Sequence, residues 1–204
     1  MQLKILGSSS KGNCYILEND NEALIIECGV RIADIKKALC FSFSKVAGCL
    51  CTHEHKDHSA SINDVMAVGV NVYTSRGTIR ALGLNISHHR LKTIQAGHVV
   101  TIGNFKVLPF KTQHDVAEPL GFIINHAETG NVLFITDSYY VSDTFKNIHN
   151  VIIEANFSQE IIDAKVSAGA SPEFLRNRIF KSHMSLETCK KTLKANDLSK
   201  VQNI

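Results

Sequence analysis

The segment Thr52-His53-Glu54-His55-Lys56-Asp57-His58 places three imidazoles and the Asp57 carboxylate within six residues. Packed together without a counter-ion, such groups repel one another or titrate near neutrality. A divalent metal removes the conflict, because neutral imidazole and carboxylate are its ordinary ligands. His53 and His55 are two positions apart, so in an extended turn they project to the same side. Asp57 and His58 are adjacent and face different directions, an arrangement that suits two neighbouring metals better than one. The bland alternative is a solvated histidine-rich loop. Position 57 is aspartate, which excludes the H-E-x-x-H pattern, and the sequence has no P-C-x-x-C segment of the zinc deaminases.

Three further groups stand just past apolar runs: His114-Asp115 after 105–110, Asp137 after 132–136, and Glu154 after 151–153. Polar residues beyond the carboxyl ends of buried strands are where α/β folds place their ligands. Each alone is weak, since an aspartate after a strand is more often a turn or a helix cap. With the histidine cluster they make a set able to close a dinuclear site.

The elements that must position these groups follow from hydrophobic periodicity. Strands are expected at 2–6, 14–18, 23–27, 46–51, 70–73, 99–102, 105–110, 121–125, 132–136 and 151–154, with Gly7 to Asn13 as the turn between the first two. Helices are expected near 32–39, 59–68 and 76–82, and the chain turns helical from Gln159 onward. Strands with interspersed helices imply a layered α/β protein, and 204 residues suit one domain over 1–204. A 44% apolar and 20% charged composition excludes disorder and coiled coil. The net charge of +3 is too small to argue for nucleic acid by itself. No apolar run is long enough to span a bilayer, and the start is too short in apolar residues for a signal peptide, so the expectation is a soluble, cytoplasmic protein. The six cysteines include no C-x-x-C pair and read as reduced and mostly buried.

His53-Glu54-His55-Lys56-Asp57-His58 matches H-x-H-x-D-H in full, and in this the chain resembles the metallo-β-lactamase fold superfamily. Gly7-Ser8-Ser9-Ser10-Lys11-Gly12-Asn13-Cys14-Tyr15, His114-Asp115-Val116-Ala117-Glu118-Pro119, Thr136-Asp137-Ser138-Tyr139-Tyr140 and Glu154-Ala155-Asn156 are similar to its WalJ/YycJ-like branch. The resemblance implies a four-layer αββα sandwich with two divalent metals, zinc or manganese, at one edge. It implies His53, His55 and His114 on the first metal, Asp57 and His58 on the second, and Asp137 bridging. A hydroxide between the metals would be the nucleophile, and Asp57 counts among the catalytic residues. It further implies phosphodiester hydrolysis, including DNA exonuclease activity, with nucleic acid as substrate. By analogy with related nucleases, His183 is read as a proton donor paired with Glu154, or alternatively as a seventh ligand.

The chain departs from the branch at four places. Glu27 stands where aspartate is usual, Lys56 replaces a small residue, and Phe157 stands where histidine is common. The stretch 198–204 reads as the opening of a further strand, which in related proteins continues into a His-Leu-Ser segment carrying the last ligand. The expectation is therefore a missing C-terminal strand and a weakened second metal site. His88-His89-Arg90 reads as a surface loop. Tyr139 and Tyr140 read either as a base-stacking pair or as packing residues. The competing functions are a metallohydrolase of a thioester, lactone or β-lactam on the same fold, and a non-catalytic module with an incomplete metal site.

Overall fold

The computed structural model describes residues 1–170 and 172–204. These divide into two compact units, Met1–Pro109 with Val116–Leu120, and Phe110–Asp115 with Gly121–Ile204.

In the first unit six strands form one sheet in chain order: β1 (Gln2–Ser9), β2 (Gly12–Glu18), β3 (Ala23–Ile26), β4 (Val46–Leu50), β5 (Val72–Thr74) and β6 (Leu91–Thr93). The first two junctions are antiparallel and the last three are parallel. The change follows from the connections, since short turns allow only antiparallel return while parallel pairing needs a crossover. The crossovers are α1 (Ile32–Ala38), then α2 (Lys56–Ser59) with α3 (Ile62–Ala67), then α4 (Arg76–Ala81). Alternate strand positions Cys14, Ile16, Ile25, Cys49 and Val72, with Cys51 just past β4, pack against Ile35, Ile62, Val65 and Ile79 of these helices. The period-two pattern on the strands and the helical stripe thus meet in one core.

Three expectations are corrected here. The turn drawn over Gly7 to Asn13 is mostly strand, because the ladder continues through Gly7↔Cys14, Ser8↔Asn13 and Ser9↔Gly12 after a bulge at Ile5/Gly7. The single helix over 59–68 is two helices, and the first begins inside the histidine motif at Lys56. Ser61 breaks them: its N–H donates to the Cys28 carbonyl (2.9 Å) and its hydroxyl to that of Val30 (2.6 Å). Strand β6 was not anticipated, since only Leu91 of its three residues is buried.

The first unit closes with a hairpin of β7 (Val100–Ile102) and the start of β8 (Phe105–Lys111). In the second unit β9 (Leu120–His126) and β10 (Gly130–Ile135) pair antiparallel, and β10 pairs parallel with β11 (Ile148–Ile153). Helices α5 (Gln159–Ser167), α6 (Glu173–Ser182) and α7 (Leu186–Ala195) follow. Leu133, Ile135 and Val151 from the strands share a core with Met184 and Cys189. The stretch expected to open a strand near the end pairs with β11 through one parallel bridge, Asn150↔Asn203. Two backbone bonds support it, Val151 N–H to Asn203 O (2.9 Å) and Gln202 N–H to His149 O (2.8 Å). Among the described residues, no helix is long and apolar enough to cross a membrane.

Candidate metal centre

In the first unit the buried strand β4 ends at Leu50 and releases the chain into the turn that carries the motif. The rings of His53 and His55 meet edge to face at 4.8 Å, and those of His53 and His58 lie 4.2 Å apart. His53 and His58 are buried, while His55 and Asp57 are partly exposed. The His53 Nδ1 is 2.9 Å from the Thr52 hydroxyl. The His58 Nε2 lies 3.1 Å from the Asn13 side-chain nitrogen and 3.5 Å from the Asp57 carboxylate. Asn13 also donates to the Asp57 carbonyl (3.2 Å) and to its carboxylate (3.5 Å), so one amide steadies both neighbours.

Below this cluster sits Glu27, fully buried and directly after β3. It accepts the Thr52 N–H (3.3 Å) and lies 3.6 Å from the His58 Nδ1. A carboxylate against the far nitrogen of a ligating histidine fixes its tautomer and raises its basicity. Glu27 occupies the position where aspartate was expected, and its backbone takes the left-handed φ of 65°. Gly29 allows the next close approach: a Cβ there would stand 1.7 Å from the Asp57 carbonyl oxygen. Cys28 N–H donates to His58 O (2.9 Å) and Gly29 N–H to Asn13 O (3.0 Å), so the 27–30 loop grips the motif from beneath. On its other side, Glu54 accepts the Ala117 N–H at 2.8 Å. Lys56 is exposed. Three imidazoles, one carboxylate and a buried supporting carboxylate form a donor set that fits a divalent ion.

In the second unit the chain just past β8, β10 and β11 and the end of α6 bring together His114, Asp137, Glu154 and His183. The His114 Nδ1 lies 2.7 Å from the Ser182 carbonyl oxygen, which directs its Nε2 toward Asp137 at 3.9 Å. Asp137 is buried at φ 43°, two residues after β10. The His183 Nδ1 is 2.8 Å from Glu154 Oε1 and 3.6 Å from the Asp137 carboxylate. Asp137, Glu154 and His183 each offer a ligand atom, all within 4.8 Å of one another. Glu154 is held by the N–H groups of Ser138 (3.4 Å) and Met184 (3.3 Å) and by the Asn156 side chain (3.0 Å). Burial works against a charged His183, but the Glu154 hydrogen bond and the charges of Glu154, Asp137 and Asp115 outweigh it and raise its pKa.

The supporting residues Asn13, Thr52, Gly29 and Ser182 were not assigned site roles from the sequence. Asn13 lies in the 7–15 segment that carries part of the family likeness, whereas Ser182 acts through its carbonyl and so leaves no residue-type signal. Phe157, in place of histidine, stacks on Phe180 at 5.0 Å and so serves packing. His88 and His89 stack on each other in a turn.

The beta-lactamase superfamily domain matches residues 25–197 of this chain. Among curated proteins, the exodeoxyribonuclease YycJ of Bacillus anthracis is 28% identical over 191 residues, covering 88% of this chain and 70% of that protein. The exodeoxyribonuclease WalJ of Streptococcus pneumoniae is 28% identical over 172 residues, covering 78% of this chain and 63% of that protein. The chain thus spans about two thirds of the length of these relatives. Among solved structures, the metallo-β-lactamase fold protein YhfI of Bacillus subtilis aligns with a TM-score of 0.63 at 21% identity, over 77% of this chain and 72% of that one. That likeness concerns the fold, and the match over 25–197 decides membership: the chain belongs to the beta-lactamase superfamily.

Proposed function

We propose that the protein is a metal-dependent phosphodiesterase that degrades DNA from an end. The observation that carries this reading is the 28% likeness to proteins named exodeoxyribonucleases, extending over 88% of the chain. In this reading His53, His55, Asp57 and His58 of the first unit and His114 and Asp137 of the second would serve as metal ligands. Mixed nitrogen and oxygen donors suit zinc or manganese. Bound there, such ions supply Lewis acidity toward a phosphoryl oxygen and a water of lowered pKa.

The chain's own residues have separate tasks. Asn13 fixes Asp57 and His58 relative to each other. Glu27 keeps a proton on the His58 Nδ1, which leaves Nε2 as the donor atom. The Ser182 carbonyl does the same for His114. Glu154, fixed by three other donors, holds the Nδ1 proton of His183, so that the His183 Nε2 can carry a proton to the departing alkoxide oxygen of the cleaved ester. His183 as a further metal ligand is the other assignment, and Glu154 would orient it in the same way. The reading places the protein in the cytoplasm, and five buried cysteines without disulfides suit a reducing compartment.

The test is hydrolysis by purified protein supplied with Mn²⁺ or Zn²⁺. Linear DNA should shorten from its ends, covalently closed circles should survive, and bis-p-nitrophenyl phosphate should release nitrophenol. A chelator should stop all hydrolysis. If DNA and the phosphodiester reporter both stay intact with either metal, the reading fails. Cleavage of a thioester, lactone or β-lactam in their place would name the competing hydrolase.

A further inference from the structure

Two tyrosines stand two and three residues after Asp137 in the second unit, and both are exposed, Tyr139 by 40% and Tyr140 by 51%. Exposed rings usually sit on loose chain, but this stretch is fastened. Tyr139 N–H donates to the Gln113 carbonyl (3.0 Å), and Tyr140 forms an antiparallel bridge with Gln113. Gln113 N–H donates to the Ser138 hydroxyl (3.1 Å), which in turn donates to the Tyr140 carbonyl (2.8 Å). Ser138 is fully buried, and Val141 is anchored in the core. Gln113 immediately precedes His114 in the chain, so the ledge carrying the rings is fastened to the segment that carries this histidine. Apart from the weak Tyr139 hydroxyl contact with the Gln113 side chain (3.4 Å), these fastenings are made by backbone, by Ser138 and by Val141. The rings are therefore not needed to hold the ledge in shape.

We propose that Tyr139 and Tyr140 form a stacking ledge for the unpaired terminal bases of a single-stranded nucleic acid, an inference that rests on the phosphodiesterase reading. A tyrosine ring on a rigid backbone loses little freedom on binding. Stacking on an aromatic ring is tolerant of base identity and adds about 1–3 kcal/mol per base. It also needs a base whose face is free, which a frayed or single-stranded end provides and a paired interior does not. The two tyrosines thus choose the substrate end, and the metal-binding residues do not need to read a base.

The test uses a single-stranded oligodeoxynucleotide with phosphorothioate links, which resist cleavage, and 2-aminopurine at each end. Binding to the wild-type protein should quench the fluorescence. Tyr139→Ala and Tyr140→Ala should each weaken binding about 10-fold and reduce the quench, while the two Phe variants retain both. An oligonucleotide with abasic ends should bind wild type and variants alike. Thermal melts confirm that the variants fold, as the backbone fastenings imply. Alanine variants that bind and quench like wild type overturn the ledge, as does a wild type that gives no quench. Phenylalanine variants that fail like the alanine ones also overturn it, because the hydroxyl would then be the working part. Quenching together with intact DNA and intact bis-p-nitrophenyl phosphate would instead retain the ledge and reject the phosphodiesterase reading.

Discussion

Gly29→Ala is the sharpest test of how the motif is held. A methyl carbon at this position would lie 1.7 Å from the Asp57 carbonyl oxygen, 2.0 Å from its carbon and 2.6 Å from the His58 nitrogen. All three are backbone atoms, so no rotamer change relieves the clash. Restoring even a 3.0 Å contact requires the Asp57–His58 peptide or the 27–30 loop to move by at least about 1.3 Å. That motion strains the bonds Cys28 N–H to His58 O and Gly29 N–H to Asn13 O. Displacing reacting groups by about 1 Å costs on the order of 100-fold in rate, and overpacking a tight site costs about 1–3 kcal/mol. For a chain of this length that stability loss lowers Tm by about 2–12 °C.

Metal affinity, read by competition with a chromophoric chelator, should fall sharply in Gly29→Ala, while far-UV circular dichroism stays native. Gly83→Ala is the matched control. It has φ +63° and nothing within 4 Å of the added carbon. That variant should lose about 1 kcal/mol through backbone strain alone and bind metal normally. If Gly29→Ala binds metal like wild type and melts no lower than Gly83→Ala, the reasoning from close approach is wrong.

Glu27→Gln keeps the volume of a fully buried side chain but removes the charge facing His58, and equilibrium dialysis should show about 10- to 100-fold weaker Zn²⁺ or Mn²⁺ binding with little change in Tm. Glu18 is buried between Lys4 and Lys45; burial opposes its charge, but the hydrogen bonds and charges of the two lysines prevail and hold its pKa below the ordinary glutamate range. A carboxylate depressed in the folded state stabilises above its unfolded pKa and loses that contribution as pH falls through the folded value. Urea titration should therefore find Glu18→Gln about 1 kcal/mol less stable than wild type near pH 7 and nearly equal to it at strongly acid pH. Cys40 is the one exposed cysteine of the six, and burial pushes the Cys14 thiol well up, so a thiol reagent at pH 8 should label one group quickly in native protein and all six in guanidinium.

The parts of the molecule that were legible in the sequence are those where residue type and spacing carry the information. Continuous apolar runs over Cys14 to Leu17 and Ala23 to Ile26 marked β2 and β3, which are buried on both faces, and H-x-H-x-D-H marked the motif itself. The hidden parts are held by backbone groups or by side chains from afar. The break between α2 and α3 depends on carbonyls of Cys28 and Val30, about 30 residues away in sequence. Ser182 acts on His114 through its carbonyl, which any residue could supply. Strand β6 has one buried residue and survives only because β5 offers it a partner. Gly7 was read as a turn signal, whereas it serves a close approach within a continuing ladder, where a Cβ would meet the Gly12 carbonyl oxygen at 2.4 Å.

One feature links the two halves of the proposed donor set without any likeness in sequence. Left-handed backbone costs about 1–3 kcal/mol for most residues other than glycine, and least for asparagine and aspartate. Five such residues occur among those described: Glu27, Cys40, Phe41, Asp137 and Asn147. Asn147 is a type that tolerates this conformation, and Cys40 with Phe41 forms the turn that ends α1. Glu27 has neither excuse, and Asp137, although of a tolerant type, matches it in setting. Each is a buried carboxylate just past a central buried strand, β3 in one unit and β10 in the other. In each case the left-handed φ turns the chain sharply enough to leave the carboxylate beside a histidine, His58 in the first unit and His114 and His183 in the second. A glycine would relieve the strain at either position and lose the charge. The left-handed turn at Glu27 thus goes with a buried charge beside His58, as that at Asp137 goes with one beside His114 and His183.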